Sequence, residues 1–188
     1  SLTVERPMGT GENDFALLLI DGSLDGSTLP ETFPFIEPET SISVRKNDEL
    51  LVGAYPAGFL GSQIITNSLY ASTAITKAME LYTFETGTLD VISLGGTVVA
   101  QQGSSGGPAV NNKGKMVGLI STSSDGETTA DRDLRAISIE HIERSLIESN
   151  GTTLNELLYG DLEQKAVDFN ESTALTLLQI IVSTFLAS

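Results

Sequence analysis

Gly103-Ser104-Ser105-Gly106-Gly107-Pro108 is the stretch of this chain whose residue types and spacing suit chemistry. A serine hydroxyl can attack a carbonyl when it stands exposed beside backbone N–H groups able to hold the charge that develops on oxygen. Gly103 has no side chain to stand in front of its N–H, and Gly106 and Gly107 permit a tight turn directly after Ser105. Pro108 ends that turn. Five small residues alone would be an ordinary surface loop. Here they lead into Ala109-Val110, the turn Asn111-Asn112-Lys113-Gly114 and the run Met116–Thr122, which read together as a β-hairpin.

The elements that must position such a serine are short strands. Turn residues separate Ile42–Val44, Leu50–Tyr55, Gln63–Leu69, Glu80–Phe84, Gly96–Ala100, Met116–Thr122 and Leu134–Ile139, a spacing that predicts a sandwich or barrel. Phe15–Ile20 is an apolar run that predicts a strand buried on both faces, and residues 21–38 read as a linker. From Ile139 the period changes. Ile139, Ile142, Leu146 and Ile147 recur at helical spacing, and Asn150-Gly151 is the stop signal. Asp161 with Gln164 predicts the cap of a second helix, and Glu171-Ser172 the opening of a third. Thr173–Ala187 carries no charge and is shorter than a bilayer span, so it is expected to be a helix buried against the barrel or another copy rather than in a membrane.

Composition narrows the function. Of 188 residues 40% are apolar, enough for a core. A net charge of −15 with 10 scattered basic residues excludes nucleic-acid binding, which needs clustered Lys and Arg. There is no cysteine, hence no disulfide framework, thiolate metal site or cysteine nucleophile, and neither metal nor cofactor is expected.

Gly103–Pro108 followed by Met116–Thr122 resembles the serine motif of trypsin-like proteases, especially the bacterial HtrA/Deg branch. Asn13-Asp14 before Phe15–Ile20 resembles the segment carrying that family's catalytic aspartate. Asp48–Gly58 resembles the strand that opens its second barrel, with Ala54 inserted between Gly53 and Tyr55. Leu134–Ile139 resembles the last strand before its closing helix. The four matches fall in the family's order. The resemblance implies an all-β, chymotrypsin-like double β-barrel whose first barrel is incomplete, with C-terminal helices. Its units would be residues 1–38 (first-barrel remnant and linker), 39–150 (a six-stranded second barrel with closing helix) and 151–188 (helical extension). It implies Ser105 as nucleophile and Asp14 as the group that orients the imidazole. The oxyanion hole would be formed at Gly103, Ser104 and Ser105 through the N–H groups of Gly103 and Ser105. Substrate would bind along Gln101, Gln102, Ile120, Ser121, Thr122 and Ser123 as an added strand. No acidic residue lies in Val99–Gln102 or Ser121–Ser123, so a small or medium apolar side chain is expected before the cleaved bond. A polypeptide substrate and an extracytoplasmic location follow from the same resemblance.

One component is missing. The family's order is histidine, aspartate, serine, and the single histidine here, His141, comes after Ser105 on the closing helix. It is expected on that helix's surface. Gly103–Gly107 also fits the elbow of α/β-hydrolases, whose order Ser105, Asp125 or Asp131, then His141 would satisfy, but that elbow leads into a helix and this one leads into a hairpin. The catalytic histidine is therefore expected in an upstream segment, within the same polypeptide or as a separate chain. Two other readings compete: an inactive relative that binds peptides in the same groove, and a structural protein that assembles through its apolar C-terminal helix.

Overall fold

The computed structural model describes residues 12–20, 22–41, 44–56, 71–84, 86–123, 127–128 and 130–186. Seven strands form one antiparallel sheet: β1 Glu49–Ala54, β2 Ser72–Lys77, β3 Glu80–Tyr82, β4 Val91–Gly95, β5 Pro108–Val110, β6 Met116–Ser123 and β7 Leu134–Ser138. Their order across the sheet is β2-β1-β5-β6-β7-β4-β3. The two ends of this order, β2 and β3, are joined by Ala78 and Met79 alone, so the sheet must curl until its edges meet. Thr76 Oγ1 on β2 donates to the Leu94 carbonyl on β4 at 2.6 Å, and Met79 N–H donates to Ser93 O at 2.8 Å, across that closure. The result is a strongly curled half-barrel.

Alternation explains why the strands face as they do. In β1, Leu50, Val52 and Ala54 point inward while Glu49 and Leu51 face out. The inward set meets Ile92 and Leu94 of β4, Ala109 of β5, Val117 and Ile120 of β6, and Leu134 and Ala136 of β7 in one core. Each fully buried Leu or Ile there is worth about 1.5–3 kcal/mol. A second cluster lies on the outer face, where Ile137, Ile139, Ile142, Leu146 and Leu154 pack with Phe15, Met116, Leu119 and Leu157.

Four helices follow. In α1, Ile139–Asn150, the Ser138 side chain accepts from His141 N–H, and Gly151 closes the helix at φ 65°. A Thr153/Glu156 capping box opens α2, Leu154–Tyr159, which the sequence reading lacks. Asp161 caps α3, Leu162–Asp168, through Gln164 N–H as expected. A π-helical turn, Phe169–Thr173, then carries the chain into α4, Ala174–Leu186, without the break expected at Glu171-Ser172.

Several expectations are corrected. Phe15–Ile20 is not a buried strand: Leu17–Ile20 are 46–91% exposed, and no ladder engages them among the described residues. An apolar run becomes a strand only where a partner edge takes its N–H and C=O groups. The strand placed at Gly96–Ala100 lies at Val91–Gly95 instead, because a register shift between Ser93 and Gly95 and the positive φ of Gly95 end the ladder there. β2 is an additional strand, so the sheet has seven among the described residues where six were expected. Gln63–Leu69 lies outside the described residues. The last apolar helix forms, but Leu175, Leu178, Ile181, Val182 and Phe185 remain 45–76% exposed rather than packed on the barrel.

The turn after Ser105 depends on one glycine. A Cβ on Gly107 would stand 2.1 Å from the Gly53 carbonyl of β1 and 3.0 Å from Ser104 O. Gly107→Ala is expected to destabilise the fold by about 1–3 kcal/mol, the range for overpacking. Urea unfolding checks this, with Gly114→Ala, which meets nothing within 4 Å but pays for a positive φ, as the comparison.

Candidate active site

Ser105 is presented by the loop between β4 and β5. Turns fold that loop on itself: Ala100 N–H donates to Thr97 O at 2.9 Å, Gln101 N–H to Val99 O at 2.8 Å and Ser104 N–H to Gln101 O at 3.3 Å. Ser104 Oγ, buried, donates to Val99 O at 2.5 Å and staples the loop from inside. The Arg132 guanidinium holds Ala100 O at 3.0 Å from the other side. Adjacent serines thus have opposite environments. Ser104 is 1% exposed and committed to the loop, whereas Ser105 faces solvent.

The loop is bolted to β6. Gly106 N–H donates to Ile120 O at 2.7 Å, and Ile120 N–H to Gly107 O at 2.8 Å. Directly beyond, Ser121 is the extra residue of a bulge, since Ile120 faces Ala136 while Thr122 already faces Arg135. The Ser121 carbonyl accepts from Ser105 Oγ at 3.0 Å. Past Ile120 the edge of β6 on the serine side has no ladder partner among the described residues. Gly103, at φ 88°, and Ser105 donate their N–H groups to no acceptor among those residues, while the N–H of Ser104 is taken by Gln101. Ile120 and Gln101 are buried and Gln102 is exposed.

Of the residues expected at the site, the loop Gln101–Ser105 thus lies against Ile120 and Ser121 of β6. Asp14 is not joined to it. Its side chain is exposed, and neither a hydrogen bond nor an ion pair links it to Ser105. His141 is also apart from Ser105. It is not on the helix surface, as expected, but 7% exposed. Its Nδ1 lies 3.1 Å from Asp90 Oδ1, and its Nε2 lies 2.7 Å from the Glu12 carbonyl. At 100° per residue His141 lies well off the stripe of Ile139, Ile142 and Leu146; it is buried by what packs over that side of the helix, the Phe84 ring and the Glu12 backbone. Asp90, Arg144 and Glu12 were missed by sequence reasoning. The available signal was the charge of Asp90 inside the apolar run Leu89–Ser93.

A strongly curled antiparallel half-barrel with an exposed serine on a glycine-flanked loop fits the scaffold of a serine hydrolase. Residues 3–142 match the family model described as Trypsin, which is most of the chain, and the chain belongs to that family of serine proteases. No curated protein matches it.

Proposed function

We propose that the chain carries the nucleophile half of a serine endopeptidase. Ser105 attacks the substrate carbonyl, and the N–H groups of Gly103 and Ser105 hold the oxyanion. The observation that carries this reading is the contrast within the loop: Ser105 is exposed beside unengaged Gly103 and Ser105 N–H groups, while Ser104 and its N–H are consumed by the loop itself. Preorganised donors aimed at developing charge are a large contribution to such catalysis. The open edge of β6 from Ser121 to Ser123 accepts a substrate backbone as an added strand. No acidic residue lies in Val99–Gln102 or Ser121–Ser123, which suits a small or medium apolar side chain before the cleaved bond.

The base is supplied by a histidine outside these 188 residues, and Asp14 orients it once the first barrel is complete. An apolar cavity of about 400 Å³ on the outer face, lined by Phe15, Leu17, Phe35, Ile36, Met116 and Ile142, gives the rest of that barrel a surface to pack on. The functional units on this reading are 1–38, 39–150 and 151–188, and the location is extracytoplasmic. No described helix is long and apolar enough to cross a membrane. The test is fluorophosphonate labelling of Ser105 with and without the histidine-bearing segment. A second reading, a peptide-binding relative without activity, is favoured by the exposure of Asp14, and it prevails if the completed protein binds peptides yet never labels.

The exposed apolar side of α4 is read as the contact between copies of the chain. Sedimentation is expected to show self-association that is lost on deleting residues 173–188. A monomer in both cases removes this role, and solubility that requires detergent only when α4 is present moves the contact to lipid.

A further inference from the structure

The segment that carries Asp14 has no strand ladder to hold it, yet its start is anchored. The Glu12 carbonyl, two residues before Asp14, sits 2.7 Å from His141 Nε2. A carbonyl oxygen can only accept, so Nε2 carries the hydrogen and donates. The ring that makes this bond is itself fixed on three sides. Asp90 Oδ1 lies 3.1 Å from Nδ1, the Arg144 guanidinium bridges Nδ1 and Asp90, and Phe84 meets the imidazole edge-on with centroids 5.2 Å apart. Either proton state of Nδ1 is satisfied, by accepting from Arg144 or by donating to Asp90. Asp90 is fully buried at the entry to β4, and its other oxygen accepts from Thr88 Oγ1 and Phe84 N–H. The chain of contacts therefore runs from the barrel core through Asp90 and His141 to the backbone of the Asp14 segment. Phe15, packed beside Ile142 and Leu154, adds an apolar contact one residue after Asp14.

We propose that His141, held by buried Asp90, is a positioning residue that pins the Asp14-bearing segment to the Ser105 barrel. The proposal rests on the reading of Asp14 as the acid that orients the catalytic imidazole. The histidine of this chain then serves the reaction through the backbone of another residue and never touches substrate. A polar tether suits this place because Leu17–Ile20 are largely exposed and offer little burial to hold the segment.

The absence of cysteine allows nitroxide labels at Leu18→Cys and Glu148→Cys without background. In the 188-residue chain, double electron–electron resonance is expected to give a narrow distance distribution with His141. That narrow peak is lost in H141F, which keeps a ring against Phe84 but has no donor, and returns in H141Q, whose amide N–H replaces Nε2–H. H141L is a second donor-less variant should H141F fail to fold. In the protein completed with its histidine-bearing segment, Ser105 labelling by a fluorophosphonate is expected to fall about tenfold or more in the donor-less variants and to recover in H141Q, since displacement of a catalytic group by an ångström costs about a hundredfold. Donor-less variants that keep the narrow distribution overturn the proposal. So does a broadened distribution with unchanged labelling. If the wild-type protein never labels, the catalytic reading fails, and the label distances alone decide whether His141 pins the segment.

Discussion

Ser105→Ala, made in the chain joined to the histidine-bearing segment proposed above, is expected to lower kcat on a peptide ester about a million-fold, the loss seen when a serine–histidine unit is broken. Fluorophosphonate incorporation at this residue should vanish with it. The same physics predicts the behaviour of the 188 residues alone. A serine hydroxyl is a weak nucleophile until a neighbour takes its proton. Here Ser105 Oγ donates to the Ser121 carbonyl, which cannot serve as a base, and the ring nitrogens of His141 are engaged by Asp90, Glu12 and Arg144. The isolated chain is therefore expected to label slowly or not at all, while Ser104→Ala, which alters only the loop staple, leaves labelling of the completed protein detectable. Mass spectrometry of the labelled peptide makes the measurement. Rapid labelling of Ser105 in the isolated chain would assign the base to a group within these residues and remove the need for an added histidine.

Asp90→Ala is expected to destabilise the fold by about 3–5 kcal/mol, the range for removing one partner of a buried ion pair. The carboxylate is fully buried and satisfies Arg144, His141, Thr88 and the Phe84 N–H at once, so its loss leaves several groups unpaired in the barrel wall. Asp90→Asn preserves shape and one acceptor, and Arg144 retains Glu140 at 3.8 Å, so it should cost less than the alanine variant. The pH dependence has a definite sign. Burial by itself raises the Asp90 pKa, but hydrogen bonds from Thr88, Phe84 N–H, Arg144 and His141 outweigh it and hold the carboxyl below its ordinary value of 3.8. A depressed carboxyl contributes stability that is fully present above the unfolded value and is lost as pH falls from there toward the folded one. The stability difference between wild type and Asp90→Asn should accordingly be constant near neutral pH and shrink below about pH 4. Urea unfolding at a series of pH values reads it, and a difference that does not shrink in acid would show that Asp90 is not ionised in the fold.

The sequence by itself determined the local features. Gly103–Pro108 and the hairpin after it identify the serine loop because glycine placement and turn chemistry act over neighbouring residues. The same holds for α1, whose apolar stripe, serine cap and Gly151 stop are all short-range signals. Fold class was legible as well, from strand spacing and from four ordered matches to a trypsin-like pattern. Tertiary structure decided the rest. Phe15–Ile20 has the residue types of a buried strand, but pairing is a property of two segments, and no partner edge meets this one among the described residues. β2, with Ser72, Thr73, Thr76 and Lys77, lacks the apolar density of a buried strand and exists because β1 pairs with it along six residues. Ser104 and Ser105 are indistinguishable as residue types. Only the fold turns one inward onto Val99 and leaves the other at the mouth of the site. His141 shows the same limit most clearly: its helical position is local, but the Asp90 carboxylate it faces is 51 residues away and the Glu12 carbonyl 129, and contacts at that separation are set by how the barrel closes.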